Sequence, residues 1–578
     1  MEFLDHPIPA AAHDAMHVQH KYWSRKPINV VRAHIEASTR PGDIVLDPFC
    51  GSGTTISQSL ITGRKAVGFD LNPMAIFITR NTVERASIQA LFETHESIQG
   101  RVREKIQSLY RTRCHECLDN SATETICIHW KVHHPTKIIY TCKNCNKSAK
   151  KLKKFTKIPD AEDLNLIAEI KGMDVENWHP DDIIPEGMVF NQARRVVTRF
   201  SELFTKRNLI ALSILFNEIE SLPFKTSEER KIKQLFEFSF TSMVHLCSKM
   251  TPIRPSRPYS SFWATNSYWL PRKFMESNVW QKYESAILGP QGLLASKRLA
   301  NKKLSKDITF VETFDELSKN DATCAFLMKQ DATTIQNRLP PNSIDYIFTD
   351  PPYAGSIPYL ELSTLWALWL KLGGDINFNE EILIDEPRGK DFAFFQQKLE
   401  DFFKNAYAVL KPGKILTFTY HNLDMKVRRT ILGAPLKSGF ILESIIYQPP
   451  PRPSPAHTLR PFNSAIGDYI VHFRKPTDET SHGEKEIPAE RVKKTKKEIE
   501  KELVDLVVEI IKNCGKPVAF TEIVNHLDVQ LANKNWFFTH DLDPRKLLKK
   551  YKNEIFLMKK EVIGSKNGFK WWLTGDLL

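Results

Sequence analysis

The stretch that decides the fold reads Asp43-Ile-Val-Leu-Asp47-Pro48-Phe49-Cys50-Gly51-Ser52-Gly53-Thr54-Thr55, with Ala66-Val-Gly-Phe-Asp70 shortly after it. Asp43–Asp47 is a short apolar run ending in an acid, as a buried strand does. The residues after the glycines run as a helix to about Thr62, and Gly63 stands where a C-terminal cap belongs. Ala66–Asp70 is a second strand, again closed by an acid. Strand, glycine turn, helix and strand form one βαβ unit of a parallel sheet. Glycine has no Cβ, so a ligand can approach the backbone of the turn. The helix that follows points its first N–H groups at that ligand. A dinucleotide fingerprint would need a third glycine three residues after Gly53, and Ile56 is there instead. Asp70, at the end of the second strand, is placed to hold ribose hydroxyls.

The alternating pattern breaks for about 240 residues and resumes near Cys324. Ser343–Thr349 reads as a buried strand, Phe392–Leu410 as a helix stopped by Lys411-Pro-Gly413, and Lys414–Tyr420, Phe440–Tyr447 and Tyr469–Phe473 as further strands. Phe190–Leu222 reads as helical. Asp350-Pro351-Pro352-Tyr353 follows directly on the Ser343–Thr349 strand. Ligands of open α/β sheets bind beyond the carboxyl ends of strands, so this tetrapeptide falls at the mouth of the sheet.

Together, the glycine string and Asp-Pro-Pro-Tyr resemble the DNA amino-methyltransferases that use S-adenosylmethionine. The continuation Ala354–Leu370 resembles the adenine-specific DNA methylases that contain a zinc ribbon. The resemblance implies a Rossmann-like methyltransferase core in which Asp47, Pro48, Phe49, Gly51, Gly53 and Thr54 surround the cofactor and Asp70 holds its ribose. It matches Asp331 to the acid that contacts the cofactor's adenine; as a residue, Asp331 reads equally well as a helix N-cap. His20–Pro27, with Lys21 and Trp23, resembles the segment that closes over the methionine end, and reads otherwise as a basic loop with one packed Trp. The catalytic group is Asp350, Pro351, Pro352 and Tyr353. An exocyclic amino group is a poor nucleophile because its lone pair is delocalised into the base. Hydrogen bonds to Asp350 and to a carbonyl near Pro351 pull the nitrogen towards a pyramidal shape, and Tyr353 offers a face for an extruded base. The Asp form of the tetrapeptide goes, by family tendency, with adenine N6. N4 of cytosine, an RNA amino group, and a non-catalytic nucleic-acid-binding scaffold stay open as alternatives. In many enzymes with this glycine string the Pro-Pro motif comes first; here the cofactor half leads and a large insertion follows. Trp366 and Trp369, at i and i+3, are expected in a helix core.

The chain has 578 residues, with 81 Lys and Arg against 68 Asp and Glu, a formal charge of +13. That excess suits a polyanionic partner, here DNA. A restriction endonuclease or other defence partner would be a separate chain. With 42% hydrophobic and 26% charged residues, the composition is that of a folded globular protein. No apolar run long enough to span a membrane and no secretory signal are visible, so a cytoplasmic protein is expected.

Nine cysteines make no disulfide scaffold. Cys114-x2-Cys117 and Cys142-x2-Cys145, separated by 24 residues, are instead expected to hold one structural zinc. Cys127, His129 or His133 could replace one ligand. The lysine-rich stretch Lys143–Lys157 suits phosphate contact or a solvated face. Arg254, Arg257 and Tyr259, with Phe262, Trp263, Tyr268 and Trp269 beyond, suit backbone tracking and base stacking, or a core bracketed by arginines. The tail reads as helices Ile499–Cys514, Thr521–Leu527 and Asp543–Tyr551 followed by a hairpin, a winged-helix-like plan in which Arg545, Lys546 and Lys549 would face DNA. The expected organisation is therefore 1–83 cofactor-binding half, 84–158 zinc ribbon, 159–324 helical target-recognition insertion, 325–476 catalytic half, 477–497 charged linker, and 498–578 winged-helix-like domain.

Overall fold

The computed structural model describes residues 3–147, 152–260, 262–263, 266–320, 323–355, 357–422, 424–450, 467–477, 495–533, 543–563 and 566–574. In chain order, β1 (Ile44–Asp47) and β2 (Lys65–Asp70) belong to the first half of the core. The insertion contributes β3 (Thr123–Lys131), β4 (His134–Cys142), β5 (Lys154–Lys157) and β6 (Lys273–Ser277). The second half adds β7 (Thr309–Val311), β8 (Cys324–Lys329), β9 (Ile344–Thr349), β10 (Leu410–Tyr420), β11 (Ile441–Gln448) and β12 (Asp468–Arg474). The tail carries β13 (Phe556–Ile563) and β14 (Lys566–Leu573).

Eight strands form the main sheet in the order β11-β12-β10-β9-β1-β2-β8-β7. The run from β10 to β7 is parallel, and β12 lies antiparallel between β10 and β11. Central strands β1 and β9 are buried at every position, as expected of parallel strands covered on both faces. From β1 the chain winds outward through β2; from β9 it winds the other way through β10. The crevice beyond the carboxyl ends of β1 and β9 is therefore the switch point where such sheets take ligands.

The sheet starts earlier than the motif reading places it. β7 and the helix Phe314–Lys319 precede residue 325 yet belong to the core. Three residues are too few to show a strand period, so β7 leaves no sequence signal. The boundary at 158 also runs through one packed unit. β6 pairs antiparallel with β3, so ribbon and helical segment share a sheet of order β5-β4-β3-β6. Within Phe190–Leu222 the long helix is only Lys206–Glu220, capped by the Thr205 hydroxyl; a short turn of helix, Asn191–Arg194, comes before it.

The insertion is packed onto the catalytic half. Helices Ile88–Ser108, Lys206–Glu220, Ser227–Val244 and Val279–Leu288 share one core with helix Tyr359–Trp369. Trp366 and Trp369 are completely buried there, as expected of helix-core residues. The buried Glu361 carboxylate accepts the N–H groups of Met188 and Val189 and pairs with Arg388. A buried carboxylate needs such partners, because an unpaired one costs several kcal/mol.

The tail folds as helices Lys496–Cys514, Phe520–Asn533 and Pro544–Lys550 and the β13–β14 hairpin. Val518 forms two backbone hydrogen bonds with Trp571, adding a short third strand. Helix Phe520–Asn533 packs against β11. Most of the expected linker, 478–494, lies outside the described residues.

Candidate active site

The glycine turn is shaped by two residues with positive φ. Gly51 has φ +50° and Gly53 φ +77°. A Cβ on Gly53 would come within 2.6 Å of the Thr79 side chain, so the turn admits no larger residue there without a shift. The Gly51 N–H donates to Asp70 Oδ2 and the Asn72 N–H to Oδ1, both at 2.9 Å. Each Asp70 oxygen keeps a second lone pair. Burial pushes the Asp70 carboxyl up to about 6 and that of Asp47 to about 7. Asp47 accepts from Phe49 N at 3.1 Å and from the Thr349 hydroxyl at 2.7 Å, joining β1 to β9 at the base of the crevice.

A cleft of about 990 Å³, solvent at its mouth included, opens at the switch point. Asp47, Pro48, Phe49, Gly51, Thr54, Asp70 and Asp331 border it from one side, and Asp350 and Pro352 from another. The structure thus brings together motifs some 300 residues apart in the sequence. Asp331 caps the turn Ala332–Asn337 through Thr333 N at 2.8 Å, as its N-cap reading expects, and it also borders the cleft.

From the His20–Pro27 segment, Tyr22, Trp23, Ser24, Arg25 and Lys26 border the cleft. Lys21 does not; its ammonium lies 5.7 Å from the Trp23 ring. Trp23 itself stacks on Trp366 at 5.2 Å, with its edge on Trp263 at 5.7 Å.

Asp350 is held by a set of partners that its motif does not announce. Its Oδ1 accepts from the Thr419 hydroxyl on β10 and from the Tyr353 hydroxyl. Lys26 Nζ lies 3.2 Å from Asp350 Oδ1, 3.1 Å from Asp468 Oδ2 and 2.9 Å from the Tyr353 hydroxyl. Burial raises the Asp350 carboxyl above its ordinary range, and the Lys26 ammonium works against that rise. Tyr353 is 9% exposed. It and Pro351 are buried beside the cleft and do not border it. Lys26, Thr419 and Asp468 come from three distant elements and carry no local signal. Lys26 alone stood inside a segment singled out in the sequence.

The four cysteines form a second centre. The Sγ atoms of Cys114 and Cys145 are 3.8 Å apart and those of Cys117 and Cys142 3.6 Å apart, and all four lie within 4.8 Å of one another. Tetrahedral thiolates on zinc, at ~2.3 Å from the metal, stand about 3.8 Å from each other, so the set fits the ion. Cys127 and His129 face the Pro258 carbonyl instead, outside the cluster.

The basic residues singled out for nucleic acid lie on two parts of the chain. Arg254 and Arg257 are exposed in the insertion, with the Arg254 guanidinium 3.0 Å above the Phe262 ring. Trp263 and Tyr268 are buried core, while Tyr259 and Trp269 are exposed at 40% and 38%. Arg545, Lys546 and Lys549 are exposed on the last helix of the tail.

With this geometry in place, the family match falls on the first half of the core. Residues 8–81 match the family model of the N6/N4 DNA methylases. The match takes in the Tyr22–Lys26 segment, the glycine turn and Asp70. Type II methyltransferase M.EcaI of Enterobacter cloacae is 36% identical over 67 residues, 12% of this chain and 14% of that protein. DNA adenine methyltransferase YhdJ of Escherichia coli is 47% identical over 49 residues, 8% and 17% of the two chains. Type II methyltransferase M.BamHI of Bacillus amyloliquefaciens is 52% identical over 46 residues, 8% and 11%. The matched stretch thus spans less than a fifth of these relatives. Among solved structures, an S-adenosylmethionine dependent methyltransferase from Mesorhizobium loti covers 31% of this chain and 84% of its own, at 13% identity and a TM-score of 0.16. The fold rests on the strand order and not on that likeness. No helix among the described residues is long and apolar enough to cross a membrane.

Proposed function

We propose that the chain transfers a methyl group from S-adenosyl-L-methionine to an exocyclic amino group of DNA, adenine N6 in the first place. The observation that carries the reading is the single cleft bordered by both Asp70 and Asp350. The residues fit the cofactor. Thr54 and Trp23 border the cleft, and Thr54 Oγ1 and Trp23 Nε1 are buried without a partner among the described residues, a need that a bound ligand would meet. Asp70 would take the ribose hydroxyls and the glycine turn the backbone approach. When bound, S-adenosyl-L-methionine supplies a methyl group activated by a positively charged sulfur.

Asp350 accepts a hydrogen bond from the target amino group and so draws its lone pair out of the ring. The nitrogen that gains the methyl must lose a proton, and the carboxylate raised by burial is placed to receive it. Lys26 works against the rise that burial imposes on Asp350, and the amino group competes with it for the carboxylate. Adenine is favoured over cytosine N4 by the Asp-Pro-Pro-Tyr form of the motif and by the likeness to the adenine methyltransferase YhdJ. The tail is read as a winged-helix-like DNA arm on the strength of its three helices, its hairpin and its exposed Arg545, Lys546 and Lys549. A cytoplasmic enzyme paired with a separate restriction endonuclease is the setting this implies. Single-molecule sequencing of DNA from a methylation-free host expressing the chain tests it. N6-methyladenine in one sequence context is expected; N4-methylcytosine would reassign the base, and unmodified DNA would remove the reading.

A further inference from the structure

We propose that a second cleft, between β5, the Arg254–Ser260 loop and helix Val279–Leu288, binds a phosphodiester of the nucleic-acid strand through Lys154, Arg257 and Lys282. The inference rests on the nucleic-acid part of the proposed function. Three cations from three separate elements border the cleft, and no carboxylate does so among the described residues. No ion pair is formed by Lys154, Arg257 or Lys282 among those residues. Burial and the neighbouring Lys154 both hold the Lys282 ammonium below its ordinary pKa. Converging cations with no counter-charge are an arrangement that an anion relieves.

The surroundings select a nucleotide over a bare phosphate. Ser256 and Ser260 bring hydroxyl groups to the same cleft. Exposed Tyr259 gives it an aromatic edge, and Lys154 Nζ lies 4.3 Å from the centre of that ring. Gln19 borders the cleft at 7% exposure, with Nε2 donating to Ser239 and Oε1 buried without a partner among the described residues. That oxygen needs a donor. A base amino group of the bound strand supplies one. Gln19 also stands three positions before Tyr22, where the chain begins to border the methyl-transfer cleft. One continuous segment thus connects the two clefts.

The test uses the full-length, zinc-loaded protein and a short duplex, with affinity followed against salt. Each of Lys154→Gln, Arg257→Gln and Lys282→Gln should lower the slope of log affinity against log salt by about 0.9, the loss of one phosphate contact. Lys282→Arg should restore the slope, which guards against a merely unfolded Gln variant. Lys319→Gln, on the helix beside β7, removes a charge elsewhere and should leave the slope unchanged. S-adenosyl-L-methionine binding should be the same in all of them. Wild-type slopes in the three Gln variants would overturn this proposal alone. Inorganic phosphate competing as well as the duplex would make the cleft a free-anion site, and polyglutamate doing so would make it a site for an acidic protein segment; either overturns it. A wild-type protein with no salt-dependent affinity for DNA or RNA would take the substrate reading down as well.

Discussion

At the scale of single residues, three carboxylates with different neighbours divide the work. Asp47 fastens β1 to β9, Asp70 presents paired oxygens to the cleft, and Asp350 is matched to a cation. That Asp70 and Asp350 lie at the cleft was legible, because Asp70 ends β2 and Asp350 directly follows β9, each beside a short motif. Lys26 was not legible in its role, since its two carboxylate partners lie more than 300 and 400 positions away. Its removal should leave burial as the dominant influence on Asp350 and raise that carboxyl further. Lys26→Met is therefore expected to move the acid limb of the kcat/KM profile to higher pH; an unmoved limb would separate Lys26 from the reaction. Asp70 gives a second pH expectation. Its carboxyl, pushed up to about 6, must be ionised to accept the ribose hydroxyls. Calorimetric affinity for S-adenosyl-L-methionine should hold above pH 6 and fall below it by about tenfold per pH unit. Affinity that stays constant from pH 5 to 8 would take Asp70 out of the binding set.

At the scale of elements, the βαβ unit was readable because strand, glycine turn and helix obey strong local rules. The Cys-x2-Cys pairs were readable for the same kind of reason. The sheet they belong to was not, because β6 reaches β3 from some 140 residues further along the chain. No local pattern encodes that pairing. A zinc held by the four cysteines would tie the end of β4 to the turn at Cys114–Cys117, and none of these residues borders the cleft. Cys142→Ser should abolish the expected one equivalent of zinc and lower the melting temperature. Affinity for S-adenosyl-L-methionine should stay within about threefold, since a group remote from a site adds little to its binding. Zinc retained at full occupancy in Cys142→Ser would contradict the four-cysteine assignment.

At the scale of the whole molecule, the sequence suggested a tail held at arm's length by a charged linker. The structure docks it: helix Phe520–Asn533 covers β11, the outermost strand of the main sheet. The tail shares one apolar core with the main sheet, so its loss would expose part of that core. Composition could not show this, because a docked domain and a tethered one can share the same linker chemistry. A chain ending near Lys475 should methylate the same sequence with weaker, less salt-sensitive DNA binding. It should also melt lower and self-associate, as a free arm's loss would not cause. Light scattering that finds it monomeric, with an unchanged melting curve, would return the tail to the role of a separate arm.

The central claim is that Asp350 acts on the target amino group and not on the cofactor. The most direct measurement sets methyl transfer from labelled S-adenosyl-L-methionine to duplex DNA beside cofactor affinity, for the wild type and for Asp350→Ala. The account predicts label in adenine from the wild type, a loss of more than a hundredfold in the variant, about 2.7 kcal/mol or more of transition-state stabilisation, and cofactor affinity within a few-fold. A variant that keeps activity within tenfold, or one that loses cofactor binding in step with activity, would contradict it.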